Sequence, residues 1–264
     1  MVIISGSLPA DAYGFTYKGK HSGRDFDMWL TKSPIDFLVE SIDALEDRPS
    51  APGVLDFGAN LGMREIELNL VIRATSEAEL RQKRRAISSW LSPAKGLGEL
   101  WWDTEPDKFY MARRYGSAQP LNMVTRQGEF TLTMVAPDPF AYSRTEQPLV
   151  ITSPGTYTIQ NIGNEEAMPT IEITGTNTSG TVSITMGGQT IQFSGALSAG
   201  DKAVIDIDDQ TAYTTKANGN RINELDNTND VFPSLQIGSN NVSVEVSGDF
   251  TINTITIYPN SRWS

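Results

Sequence analysis

Apolar and polar residues alternate along most of this chain, which is the pattern of β-strands with one buried and one exposed face. The clearest alternation spans residues 64–73, and the apolar face of that strand consists of Ile66, Leu68, Leu70 and Ile72. The residues between them are mostly charged or amide side chains, so the opposite face is predicted to be hydrated. Strands of this one-sided kind are typical of antiparallel sheets.

Only residues 76–91 follow the 3.6-residue period of an amphipathic helix, with an apolar side formed by Leu80, Ile87, Trp90 and Leu91. Ser76 is placed to cap the first turn, and Glu79, three residues later, completes a capping box. Pro93 and Gly96 end the segment. We therefore predict one helix in the first half of the chain.

Shorter runs predict the other elements of the first half. They are edge strands and loops between residues 8 and 30, a strand at 35–39, a turn-rich stretch at 48–53, two strands at 101–103 and 107–113 joined by a turn at Glu105–Pro106, and a strand at 128–136.

The second half contains only short alternating runs. Gly187–Gly188 separates two of them and predicts a two-residue hairpin turn of the primed type, which needs positive φ. Near the end, Phe250 and Ile252 share one phase, whereas Ile255 and Ile257 are one residue out of phase. A bulge near Asn253–Thr254 is predicted to bring all four side chains into one core.

These patterns predict an all-β protein made mainly of antiparallel β-sandwiches, with the single α-helix in its first part. The length of 264 residues suits two domains of ordinary size. A proline-rich and polar stretch divides them, so we predict a first domain at 1–140, a linker at 141–147 and a second domain at 148–264.

Composition excludes several classes of function. The chain has no cysteine and one histidine, which excludes disulfides, thiolate catalysis and any site that needs two histidines. No apolar run approaches the roughly 20 residues of a membrane helix, and the start lacks the basic segment of a signal peptide. Residues 1–147 carry 17 basic and 20 acidic residues and residues 148–264 carry 4 and 12, so the net charge of −11 argues against a nucleic-acid partner.

Clusters of carboxylates are the candidates for chemistry. Asp206, Asp208 and Asp209 offer oxygen ligands for calcium, but no glycine follows at the turning position, and an exposed strand face explains them better. Acid–base pairs could come from Glu165–Glu166, or from the group Asp103, Glu105 and Asp107, although solvated carboxylates are far commoner in turns. His21 lies in a glycine-flanked loop and is expected to be a surface residue. We predict no catalytic residue, no metal and no cofactor.

Two features indicate a protein contact. Arg81, Lys83, Arg84 and Arg85 form a basic cluster on the helix, which is either a solvated face or the partner of an acidic groove on a neighbouring subunit. Trp101 and Trp102 face opposite sides if they lie in a strand, so one fills the core and the other marks an interface. The candidate interface residues are Arg81, Arg84, Arg85, Trp101 and Trp102.

Motifs in both halves occur in the order found in one known family. The segments are 52–53 with Leu55-Asp-Phe-Gly58, the strand from Arg64, the capped helix, Trp102-Asp-x-x-Pro-Asp-x-Phe-Tyr-x-Ala-Arg113, Asn161-Ile-Gly-Asn164 with Pro169-x-Ile-x-Ile-x-Gly175, Val204-Ile-Asp206, Leu225, Phe232-Pro233-x-Leu235 and Gly238-x-Asn240. In this order the chain resembles the distal tail proteins of long-tailed phages.

The resemblance implies a structural protein without enzymatic activity. Members of the family form a hexameric ring beneath the tail tube, leave a channel for DNA and carry the adsorption apparatus, and their C-terminal domain is a galectin-like sandwich. It implies as partners the chain itself, with two rings back to back as a further option, the tail tube protein, the tail-tip hub protein and receptor-binding proteins. It also implies synthesis in the host cytoplasm, a place at the virion tail tip, and neither sequence-specific nucleic-acid binding nor membrane insertion. We expect the first domain to form the ring head to tail, with a basic patch that includes residues 81–85.

The alternative is a carbohydrate-binding β-sandwich module or adhesin that contacts a cell surface directly. Galectins stack sugars on a tryptophan beside polar readers such as histidine. Here the only tryptophan of the second half is Trp263, and no histidine follows position 21. The sequence therefore favours a galectin-like fold without the sugar chemistry.

Overall fold

The computed structural model describes residues 12–34, 39–123 and 126–264, and it divides the chain into two compact units that meet between Arg144 and Thr145. Both units are built from antiparallel strands, and one helix of ordinary length lies in the first, which confirms the predicted all-β fold class. Residues 35–38, on which most of the strand predicted at 35–39 falls, lie outside the described residues, as do residues 1–11. The precise domain and linker bounds stay a prediction.

The first unit contains ten strands and two helices in the described residues. They are β1 (Phe15–Tyr17), β2 (Lys20–His21), α1 (Ser22–Phe26), β3 (Met28–Leu30), β4 (Ser41–Asp47), β5 (Val54–Leu61), β6 (Arg64–Arg73), α2 (Glu77–Trp90), β7 (Gly98–Trp102), β8 (Glu105–Met123), β9 (Gln127–Ala136) and β10 (Ala141–Ser143), with a 3-10 turn at Pro93–Lys95.

One curled sheet forms the body of this unit. Its strand order is β2-β1-β7-β8-β9-β6-β3, and β10, which lies within the predicted linker, pairs with β8. Leu30 donates its backbone N–H to the carbonyl of Tyr13 at 2.9 Å, so the last strand returns to the segment that leads into β1. The predicted inward face of β6 is confirmed, because Ile66, Leu68, Leu70 and Ile72 are all buried and pair along β9.

Helix α2 begins and ends where its capping residues predict. The Ser76 hydroxyl accepts the N–H of Glu79 at 3.2 Å. The predicted capping box is wrong in one detail, because the Glu79 carboxylate accepts the N–H of Thr75 at 2.7 Å and not that of Ser76. The hydrogen bond from the Thr75 hydroxyl, followed by that from Lys83, lowers the pKa of Glu79 to about 2. At the other end, Trp90 stacks on Phe26 of α1 with ring centroids 4.7 Å apart, and on Phe15 of β1 at 5.7 Å, which fixes the helix to the sheet.

The expectation that His21 lies on the surface is wrong. The side chain is 7% exposed, and its Nδ1 accepts the N–H groups of Gly23 and Arg24 at 3.0 Å each, which caps the unpredicted helix α1. Because Nδ1 accepts, the ring proton resides on Nε2, which donates to Asp103 Oδ1 at 3.0 Å. The partner lies 82 positions away in sequence, so no local pattern could indicate it.

The predicted turn at Glu105–Pro106 is also wrong by two residues. The chain reverses at Asp103–Thr104, and Glu105 already pairs with Trp102 as the first residue of β8. Asp103 accepts the N–H of Gly14 at 2.8 Å in addition to its contact with His21. This acidic side chain therefore stabilises the turn itself, which the pattern of apolar residues could not reveal.

The second unit is a sandwich of two sheets. Its strands are β11 (Leu149–Ile151), β12 (Gly155–Asn161), β13 (Thr170–Thr176), β14 (Thr181–Met186), β15 (Gln189–Phe193), β16 (Lys202–Asp206), β17 (Thr211–Thr215), β18 (Arg221–Asn223), β19 (Gly238–Ser247), β20 (Thr251–Tyr258) and β21 (Arg262–Trp263), with a 3-10 turn at Leu225–Asn227. One sheet has the order β11-β20-β13-β16-β17-β18 and the other β12-β19-β14-β15, and aliphatic side chains of both fill the space between them.

Two local predictions for this unit are confirmed. Gly187 and Gly188 connect β14 to β15 with φ of 58° and 78°, as a primed turn requires. In β20 the pairing with β13 shifts from Thr254 to Ile252, so Asn253 is the extra residue of a bulge. The bulge lets Phe250, Ile252, Ile255 and Ile257 all pack against one core.

A buried carboxylate ties a turn of this unit together and makes its stability depend on pH. Asp201 is 4% exposed, accepts the N–H groups of Ser198 and Ala217, and contacts Lys216 Nζ at 3.0 Å. The backbone hydrogen bond from Ser198 is the largest cause that holds the pKa of Asp201 below its usual range. A lowered pKa stabilises the fold above the pKa of the unfolded chain, near 3.9, and that contribution is lost as pH falls through the folded value.

We predict that Asp201→Asn lowers the free energy of unfolding by about 1.5–3 kcal/mol at pH 7, because it removes hydrogen bonds to a charged group. The difference from the wild type should be smaller at about pH 3, below the pKa of the unfolded chain, because the stabilisation that a lowered pKa gives is lost on acidification. Calorimetric unfolding of both proteins at the two pH values measures this. An equal difference at both would show that the ionised carboxylate contributes nothing.

Candidate assembly interface

Strands β4 and β5 form a hairpin that pairs with no other strand of the described residues. They make a separate two-stranded sheet, and every residue of both strands is exposed. The base is closed by the N–H of Gly62, which donates to the carbonyl of Glu40 at 2.8 Å. In β5 an extra residue forms a bulge at Phe57–Gly58, where Gly58 adopts a φ of 97°. Two-stranded hairpins are at best marginally stable alone, so this one is a candidate for packing against another surface.

Large apolar side chains lie on both faces of the hairpin. The pairing places Leu45, Val54 and Leu61 on one face and Ile42 and Leu55 on the other, because paired residues share a face and alternate residues do not. Phe57 at the bulge is 65% exposed and Ile42 is 59% exposed. Isolated apolar residues are common on surfaces, but large exposed apolar side chains on both faces of one hairpin indicate an interaction site.

The hairpin is also acidic. Over residues 40–61 it carries one basic residue, Arg48, and five acidic ones, which are Glu40, Asp43, Glu46, Asp47 and Asp56. All of these side chains are exposed. A partner surface should therefore combine apolar area with positive charge.

The basic cluster of α2 divides into paired and unpaired side chains. Arg81 contacts Glu77 at 3.0 Å and Lys83 contacts Glu79 at 2.9 Å, both within the helix. Arg84 and Arg85 are exposed, and neither has an ion-pair partner in the part of the chain that the structure describes. These two arginines are the cations that remain available to another molecule.

An apolar groove lies between α2 and the sheet. Its volume is about 280 Å³, with Ile87 and Leu91 from the helix on one side and Ile72, Phe130 and Leu132 from the sheet on the other. The residues along its edge are Arg84, Ser88, Arg114 and Ala118. The groove is therefore hydrophobic inside and positively charged at its mouth.

The two tryptophans face opposite sides, as predicted, but only one reaches the surface. Trp102 is 1% exposed and lies in the core of the unit, so it is not available for a subunit contact in this fold. Trp101 is half-buried, and the guanidinium of Arg144 lies 4.0 Å from its ring centroid. Arg144 also donates to the carbonyl of Pro106 at 2.8 Å, which holds it over the ring.

The candidate carboxylate pairs do not converge on a reaction centre. Glu105 and Asp107 both contact Lys108, at 2.7 Å and 3.4 Å, while Asp103 points to His21 on another element. Glu166 accepts hydrogen bonds from the side chains of Ser234 and Gln236. Each of these carboxylates thus serves a local structural contact.

The proposed calcium ligands are likewise part of a turn. The Asp206 carboxylate accepts the N–H groups of Asp208 at 3.1 Å and Asp209 at 3.2 Å, which uses one of its oxygens. Among the described residues no three histidine or acidic side chains come together in a way that could hold a metal ion. In the same residues no helix is long and apolar enough to cross a membrane.

Sequence reasoning missed the hairpin as a functional feature. The turn-rich stretch at 48–53 indicates a reversal, and the flanking runs contain enough apolar residues to read as ordinary buried strands. What distinguishes them is that apolar residues occur on both faces of the hairpin, which is the signal that could have shown contact on two sides.

Comparison with known proteins defines the class as a structural component of a phage tail. Residues 30–136 match the family described as phage tail protein RIFT-related domain, and residues 162–263 match the family described as siphovirus-type tail component, C-terminal domain. The two matches fall one in each half of the chain and together span most of it, so the resemblance to distal tail proteins is confirmed. No curated protein matches the sequence.

Solved structures of two phages share the fold. The Dit protein of phage SPP1, described as a paradigm of the hub adsorption apparatus in phages that infect Gram-positive hosts, has a TM-score of 0.69 at 15% identity, with 93% of this chain and 97% of that chain covered. A chain of the phage P2 baseplate in its activated conformation with Ca has a TM-score of 0.54 at 11% identity, with 93% and 97% covered. The same baseplate with Sr gives 0.52 at 10%, with 94% and 97% covered.

Proposed function

We propose that this protein forms a hexameric ring at the distal end of a siphovirus tail, where it joins the tail tube to the adsorption or baseplate apparatus. The observation that carries the proposal is the β4–β5 hairpin, whose two apolar faces lie entirely in solvent in the single chain. Burying such a surface needs a neighbouring molecule, and a closed ring supplies one to every copy.

The partners follow from that position. On one side of the ring stands the tail tube protein, and on the other the tail-tip hub and receptor-binding proteins. The fold shared with a hub adsorption protein and with a baseplate component supports this arrangement. The protein is made in the host cytoplasm and resides at the tail tip of the virion.

The ring leaves a channel through which DNA passes. A net charge of −11 suits that role, because a strongly basic wall would bind phosphates and retain the DNA. The first domain, 1–140, forms the ring, and the second domain, 148–264, lies outside it. We expect residues 148–264, expressed alone, to unfold cooperatively as a monomer.

Mass measurement of the purified native protein tests the ring. The expected mass corresponds to six chains, or to twelve if two rings associate. A protein that remains monomeric at every accessible concentration would contradict the proposal and favour the carbohydrate-binding module.

The role is structural, without catalysis and without a sugar site of its own. The carboxylates that could act as an acid–base pair are held by local contacts, and Trp263 is the only tryptophan after residue 102. Specific binding of the full-length protein on a glycan array would overturn this assignment.

A further inference from the structure

The first unit carries two surfaces of opposite character. The hairpin formed by β4 and β5 is apolar and acidic, whereas the groove beneath α2 is apolar inside and has Arg84 and Arg114 at its mouth. The hairpin is open in the single chain, because its residues are exposed along their whole length. The groove reaches the surface at its edge, where Arg84 and Ser88 are exposed. Their complementarity in charge and in hydrophobicity indicates that they belong together across a contact.

The groove has room for side chains of the hairpin. An apolar cavity of about 150 Å³ is enough to hold a benzene molecule. The groove volume of about 280 Å³ therefore admits the phenyl ring of Phe57 together with an aliphatic neighbour. Among the residues whose exposure the structure describes, Phe57 is the most exposed large apolar side chain, and the bulge places it where β5 departs from regular pairing.

We propose that the hairpin of one copy of this chain docks into the α2 groove of the next copy, with Phe57 inserted between helix and sheet. The acidic side chain next to it in β5, Asp56, then faces Arg84 at the mouth of the groove. This inference rests on the proposed ring and specifies which two surfaces of each subunit form its contact.

The arrangement explains why a ring closes. Each copy carries one hairpin and one groove, and the two are different surfaces, so the contact is head to tail. A head-to-tail contact leaves a free hairpin at one end and a free groove at the other in every open assembly. Closure is the one arrangement that buries all copies of both.

Cysteine cross-linking tests the contact directly, because the chain has no cysteine of its own. The test variant combines Phe57→Cys with Ser88→Cys at the edge of the groove. The control combines Phe57→Cys with Gln82→Cys, which is exposed on the same helix but does not line the groove. Mild oxidation of the full-length test variant should give a reducible ladder of covalent oligomers up to the ring size, and the control should give at most a weak dimer band.

Charge exchange supplies a second, independent measurement. Arg84→Glu and Asp56→Arg should each raise the concentration needed for assembly about ten-fold at low salt, and less at high salt, where exposed charges are screened. The combination of both changes should restore assembly, since the pair is present again with reversed signs. Both side chains are exposed, so an unchanged thermal unfolding midpoint confirms that each variant is folded.

The outcomes separate this inference from the ring itself. Suppose that the wild-type protein forms rings, but the test variant cross-links no better than the control and the double charge exchange does not restore assembly. This result would overturn the docking of the hairpin into the groove and would leave the ring itself unaffected. A wild-type protein that never assembles would remove the ring and the docking together.

Discussion

Leu68→Asp is expected to leave the first unit unfolded. Leu68 is 0% exposed, lies in the middle of β6 and pairs with Leu132 of β9. Aspartate at this position would bury an unpaired charge, whose transfer from water costs far more than the net stability of a domain. Leu68→Ala only creates a cavity and should lower the free energy of unfolding by about 2–5 kcal/mol.

Tryptophan fluorescence of the full-length protein measures the unfolding of the first unit. Four of the five tryptophans lie before residue 103, so the signal reports mainly on the first unit. Glu67→Ala is the matched control, because Glu67 is exposed on the opposite face of the same strand and accepts a hydrogen bond from the Asn69 side chain. A larger loss for Glu67→Ala than for Leu68→Ala would mean that the inward and outward faces of β6 must be exchanged.

Strands and helices whose apolar residues recur at regular spacing could be predicted from the sequence. Strand β6 and helix α2 each bury one face against the body of their unit, so the order of apolar residues carries the information by itself. The bulge at Asn253 was predictable for the same reason, because a change of phase in a buried strand must be absorbed somewhere.

Features that depend on distant residues could not be predicted in this way. His21 becomes a helix cap only because Asp103 meets its other nitrogen, and Asp103 in turn fixes the reversal after Trp102. Such polar contacts leave no periodic trace in the sequence. The candidate interface shows the same limit: the arginines of α2 were visible as a cluster, but the groove beside them is built from three strands and a helix that are far apart along the chain.

The hairpin is the feature whose sequence pattern was misleading. An apolar residue in a strand usually indicates a core, yet Leu45, Leu55 and Phe57 lie in solvent. The reason is that the hairpin carries apolar residues on both of its faces, whereas the rest of the same unit could cover only one face. The contact proposed for the hairpin belongs to the quaternary structure, which a single chain does not contain.

Removal of the hairpin should abolish assembly and leave the subunit folded. Ser41 and Leu61 are paired directly, so their Cα atoms lie about 5 Å apart and a two-residue Gly-Gly turn can replace residues 42–60. Because no side chain of β4 or β5 is buried, the deletion removes no core contact, and the unfolding midpoint of the first unit should change little. Light scattering should show a monomer where the wild-type protein forms a ring.

Single substitutions refine the same prediction. Phe57→Asp should weaken assembly strongly, since it places a charge in the apolar groove proposed for this side chain. Leu97→Asp is the matched control, because Leu97 is 43% exposed on the first unit but lies outside both the hairpin and the groove. If the deletion variant still forms rings of wild-type size, the exposed apolar surface of the hairpin has another purpose. If the deletion instead unfolds the subunit, the hairpin contributes to folding through contacts that its exposure does not suggest.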